Sequence, residues 1–172
     1  ANMRFIDNIN PDCRFEVGTE EAIKKYQVEE LEQFLSILKE KEPVLFNKIV
    51  FVVIQSGTGI QGAQNIGMFD EQRCTDMIAL CEKYGVLSKE HNGDYLTPEQ
   101  IKIRFDLGLD AINIAPEFGY IETKCILDEI IDLQDEKTFD EFFTICYRSD
   151  HWKKWLDRAF LLTPLTKHTL IR

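Results

Sequence analysis

Seven consecutive residues hold the densest chemistry of this 172-residue chain: Lys89, Glu90, His91, Asn92, Gly93, Asp94 and Tyr95. A histidine titrates near neutral pH, so His91 is suited to take and give protons, with Asp94 to orient it and Glu90 as a second acid/base group. The same residue types also suit a charged surface loop with an Asn-Gly turn, in which His91 is a hydrogen-bonded structural residue. Lys89 can form an imine if it is desolvated, or a plain ion pair. Strand alternation puts Lys89 and His91 on one side and Glu90 on the other.

The heptapeptide follows the apolar run Val86-Leu87-Ser88, and a polar tip on a strand recurs elsewhere in the chain. Ile49 to Ile54 is continuously apolar and mostly β-branched, the pattern of a strand covered on both faces in a parallel sheet. It runs into Gln55, Ser56 and Gly57, then Gly59 and Gly62. These glycines let backbone amides approach an anion, but their spacing fits neither a Walker loop nor a dinucleotide fingerprint. A first strand over Arg14–Val17 leads to Glu20, and a fourth over Ala111–Ala115 carries Asn113 and runs into Glu117. The tips therefore offer Glu20, Gln55, Ser56, Gly57, Lys89, Asn92, Asn113 and Glu117 as substrate contacts.

Helices separate these strands. Leu31, Phe34, Leu35 and Leu38 recur at helical spacing within 28–41, and Met77, Ile78, Leu80, Cys81 and Tyr84 do so within 70–84, closed by Gly85. Thr97, Pro98 and Gln100 form a capping box with proline at the first helical position. A further helix is expected from about Glu122 to Leu133, and residues 1–13 are expected to be irregular. The order β-α-β-α-β-α-β-α, with right-handed crossovers, predicts an α/β fold with four parallel βα units. Those units fill a domain over 1–136. Residues 137–172, with Phe139, Phe142, Phe143, Trp152, Trp155 and Phe160, are expected to form a C-terminal helical appendage.

Thirty acidic against twenty basic residues give a net charge of -10, which argues against a nucleic-acid partner. No apolar run reaches the roughly 20 residues needed to span a bilayer, and the N-terminus lacks a signal-peptide pattern. A soluble, cytoplasmic protein is expected. Cys13, Cys74, Cys81, Cys125 and Cys146 form no Cys-x-x-Cys pair and are expected to be small buried hydrophobes.

Over roughly residues 14–130 the chain resembles the C-terminal half of barrel proteins related to the non-catalytic subunit of class II tagatose-bisphosphate aldolase. The matching pieces are Val17-Gly18-Thr19-Glu20, Val52-Val53-Ile54-Gln55 with Gly57, then His91, Asp94, Tyr95 and Thr97, and the strand ahead of Pro116. Lys89 stands where that family has an acidic residue, and Ala115 and Glu117 replace a more apolar, glycine-containing strand end. The resemblance implies half of a TIM (β/α)8 barrel, and Ala1 in place of an initiator Met fits a processed or excised fragment. It also implies a phosphorylated-sugar ligand and aldol chemistry, meaning aldol cleavage, isomerisation or epimerisation.

Two roles remain open: a sugar-phosphate enzyme using His91, Glu90 and Asp94, or a non-catalytic subunit that stabilises a catalytic aldolase partner. With three histidines, and only His91 at a strand tip, any divalent metal is expected to draw ligands from outside these residues. A half-barrel sheet has two open edges and an open inner face, so a second half-barrel or a catalytic subunit is the expected partner.

Overall fold

The computed structural model describes residues 2–18 and 25–155. It divides into two compact units, Ala1–Glu117 and Phe118–Arg172. The first holds α1 (Asn2–Ile9), β1 (Phe15–Gly18), α2 (Val28–Lys41), α3 (Pro43–Phe46), β2 (Ile49–Ile54), β3 (Ile60–Gln61), β4 (Gln64–Asn65), α4 (Glu71–Tyr84), β5 (Leu87–Glu90), α5 (Pro98–Asp106) and β6 (Ala111–Ile112). Helix α6 (Pro116–Asp132) crosses the division. The second unit also contains α7 (Glu136–Ser149) and a short 3-10 turn (His151–Trp155).

Four strands form one parallel sheet in the order β1-β2-β5-β6, alternating with helices. This α/β arrangement is consistent with half a barrel, with a C-terminal helix added. Phe15, Val52 and Ile54 point to one face, where Leu31 and Leu35 of α2, Leu45 and Phe46 of α3, and Cys74, Met77, Ile78 and Cys81 of α4 close the core. Alternation sends Glu16, Phe51, Val53, Leu87 and Lys89 to the other face. That face is less open than the sequence suggests. Val53 is buried, and Phe51 is half-buried beneath the Lys89 ammonium, 5.3 Å from its ring.

Local signals set several boundaries. Asp70 caps α4 by accepting the Arg73 amide, and Gly85 ends the helix at φ 72, a left-handed position that glycine adopts without a Cβ penalty. The Thr97 box starts α5 as its sequence predicts. Four expectations need correction. Residues 2–9 are helical rather than irregular, and this helix ends at the Asn10-Pro11 turn. The glycine-rich tip contains a β3-β4 hairpin. The last strand stops at Ile112, and α6 begins at Pro116 rather than near Glu122. Cys74 and Cys81 are buried, but Cys125 and Cys146 are exposed and Cys13 is half-buried.

Candidate functional site

Parallel pairing brings the residues after each strand to one edge of the sheet. Gln55 follows β2, His91 follows β5 and Asn113 follows β6. Glu20 lies outside the described residues.

The charged centre reached from this edge is Glu16, which lies two register positions short of Lys89 on the face away from the helices and which the sequence reading passed over. Its carboxylate takes Lys89 Nζ at 2.5 Å on Oε2 and meets His91 Nε2 at 2.8 Å on Oε1. All three side chains are about one-third exposed or less. Burial by itself pushes the Glu16 carboxyl up, but hydrogen bonds and charge from Lys89 and His91 outweigh it and hold the group below its usual range. Because β2 lies between β1 and β5, the Lys89 chain reaches over the Phe51 ring to make this bridge. The available signal was Glu16 itself, a charge flanked by Phe15 and Val17, on the strand face opposite those apolar neighbours.

The other candidates divide by what already occupies them. Glu90 is fully buried on the helix-covered face, with Arg104 Nε donating to its Oε2 at 2.6 Å, and Arg104 stacks 4.0 Å from the centroid of Phe69. It therefore does not join His91, as alternation requires. Asp94 is also buried and does not orient the imidazole. Its Oδ1 accepts the amides of Ala115 at 2.9 Å and Glu117 at 2.8 Å, and so caps the start of α6. Glu16 takes the orienting position instead.

Gln55 is buried, and its Oε1 accepts the Tyr26 amide at 2.7 Å and faces Arg73 Nη2 at 3.4 Å. Arg73 also donates to the carbonyls of Gln55 and Tyr26, so this group pins the entry to α2. Ser56 is fully buried, and Gly57 sits at φ 101 where an added Cβ would fall 1.9 Å from the Met68 carbonyl oxygen. Both serve the neck of the hairpin. Glu117 Oε2 accepts the Tyr95 amide at 2.7 Å. The Asn113 backbone donates to the Glu90 carbonyl and accepts from Gly93, each at 2.9 Å. The Asn92 carbonyl accepts from Asn65 Nδ2 at 2.8 Å.

The geometry thus assembles Glu16, Lys89 and His91, places the Asn113 backbone against Glu90 and Gly93 on either side of His91 and Asn92, and gives Glu90, Asp94, Gln55 and Glu117 structural contacts. A carboxylate shared by an ammonium and an imidazole can orient the ring and leave a fixed cation next to a proton carrier. Among the described residues no group of three or more His, Cys, Asp or Glu is placed to hold a metal ion. None of the described helices is long and apolar enough to cross a membrane.

No family model matches the chain, and no curated protein matches it by sequence. Among solved structures, its fold is similar to the crystal structure of a probable tagatose 6 phosphate kinase from Sinorhizobium meliloti 1021, at 17% identity and a TM-score of 0.68. The match takes in 92% of this chain and 45% of that one, so the chain spans less than half the length of its structural neighbour, and the likeness is one of fold.

Proposed function

We propose that the chain carries an acid/base site for a phosphorylated sugar on the sheet face away from its helices, next to the C-terminal edge. The observation that supports it is the single Glu16 carboxylate holding both Lys89 and His91. Aldol cleavage, isomerisation and epimerisation share one demand: a proton moves next to a carbonyl while negative charge develops on its oxygen. His91 is the proton carrier, Glu16 orients it, and Lys89 is the fixed cation facing the developing charge or the phosphate. Asn92 and Asn113, whose backbones belong to or pair with the 90–93 segment, are the amide residues for sugar hydroxyls. The solved structure of similar fold, described as a probable tagatose 6 phosphate kinase, supports the same ligand class.

A second reading keeps the fold and gives the chain the role of a non-catalytic subunit beside a catalytic aldolase. It is favoured by β1 and β6, which lie at the two outer edges of the sheet.

Turnover of tagatose 6-phosphate, and of its 1,6-bisphosphate, separates the two. His91→Gln is expected to lower turnover about 100-fold or more, the usual scale for loss of a general acid or base. Turnover unchanged in both His91→Gln and Lys89→Met would overturn the acid/base assignment.

A further inference from the structure

The hairpin between β2 and α4 bears on the backbone of His91. The Asn65 side chain on β4 uses its full hydrogen-bonding capacity. Its Nδ2 donates to the carbonyls of Asn92 at 2.8 Å and Asp94 at 3.0 Å. Its Oδ1 accepts the amides of Gly59 at 3.3 Å and Gly67 at 3.1 Å, which closes the neck of the hairpin. One amide group thus joins two loops that are remote in sequence. Beside it, Thr58 Oγ1 donates to the His91 carbonyl at 2.6 Å.

The segment so held is under strain. Asn92 and Tyr95 occupy the left-handed region at φ 58 and φ 60, where residues with a side chain persist only if their surroundings enforce it. The enforcement is visible residue by residue. The His91, Asn92 and Asp94 carbonyls are held by the hairpin, the Gly93 amide by Asn113, and the Tyr95 amide by Glu117. Three of the five restraints come from Thr58 and Asn65.

We infer that Asn65 and Thr58 are the positioning residues of His91, fixing the backbone from which its imidazole reaches Glu16. The inference rests on the acid/base reading of His91 and extends it to the hairpin. A chain in which the hairpin only filled space would lose fold stability on their substitution and leave the imidazole where it was. Positioning requires that the ring itself respond.

Substitutions of matched shape provide the test. Asn65→Asp keeps the acceptor for Gly59 and Gly67 but turns the donor side into oxygen facing the Asn92 and Asp94 carbonyls. Thr58→Val removes only the hydroxyl, and Thr58→Ser retains it. The ring signals of His91 are identified in the full chain by their loss in His91→Gln and followed by NMR, alongside calorimetric titration with tagatose 6-phosphate. Asn65→Asp and Thr58→Val are each expected to shift the His91 ring signals, leave those of His151 in place, and weaken the sugar phosphate at least tenfold, with Thr58→Ser close to wild type. His91 signals unmoved in both variants, or Thr58→Ser behaving as Thr58→Val does, would overturn the inference. If the wild type does not bind tagatose 6-phosphate, the proposed function fails, and the ring signals alone still decide whether the hairpin positions His91.

Discussion

At the scale of single residues, the informative contrast lies between two glutamates. Glu16 bridges Lys89 and His91 with about one-third of its side chain exposed, whereas Glu90 is sealed against Arg104. The depressed Glu16 carboxyl sets a pH signature. A group with a lowered folded value contributes its stability above its ordinary value, about 4.3 for glutamate, and loses it as pH falls through the lower folded value. The urea-midpoint difference between wild type and Glu16→Gln is therefore expected to be full at neutral pH and to shrink on acidification below that point. A difference that grows in acid would contradict the bridge. For Glu90 the neighbour is decisive. Arg104→Met removes the guanidinium from a buried carboxylate and is expected to cost about 3–5 kcal/mol in urea unfolding, a large share of a typical domain's stability. The double variant Glu90→Gln/Arg104→Met should recover part of that loss. A loss below about 1 kcal/mol for Arg104→Met alone, the scale of an exposed pair, would show that the pair is solvated.

At the scale of elements, Asp94 links the tip of β5 to α6. Asp94→Ala leaves the amides of Ala115 and Glu117 without their acceptor and is expected to cost about 1–2 kcal/mol, the scale of a lost helix cap. Faster hydrogen exchange at those two amides is the readout, with Asp94→Asn retaining most of the protection. Unchanged exchange at both amides in Asp94→Ala would rule out the cap. This contact also explains which elements were legible in the sequence. Helices α4 and α5 carry their own caps at Asp70, Gly85 and Thr97, so local residues announced them. The start of α6 did not show because its cap comes from Asp94, far back in the chain. The alternation of β5 correctly separated Lys89 and His91 from Glu90. It could not supply their partner, since Glu16 reaches them across β2, through a register that only the folded sheet creates. Helix α1 and the β3-β4 hairpin were missed for a related reason: each is short, and each is fixed by contacts with distant residues, Lys48 to Asp7 for α1 and Asn65 to the 91–95 segment for the hairpin.

At the scale of the whole molecule, the parallel sheet leaves β1 and β6 at its edges, with backbone groups that another chain can pair. Leu87, 43% exposed on the face away from the helices, adds apolar surface there. Association through these edges, with a second copy or a partner half-barrel, is the expected remedy and should appear in light scattering at micromolar concentration. A stable monomer with protected amides in β1 and β6 would contradict it. The proposed sugar-phosphate site stands or falls independently of that outcome, because Glu16, Lys89 and His91 all belong to one compact unit. The most direct test is an NMR titration of the chain with tagatose 6-phosphate, watching the His91 ring and the Lys89 ammonium side chain. The site predicts that both respond together, with saturation, and that Glu16→Gln or Lys89→Met weakens the response. A titration that leaves His91 and Lys89 unmoved would contradict it.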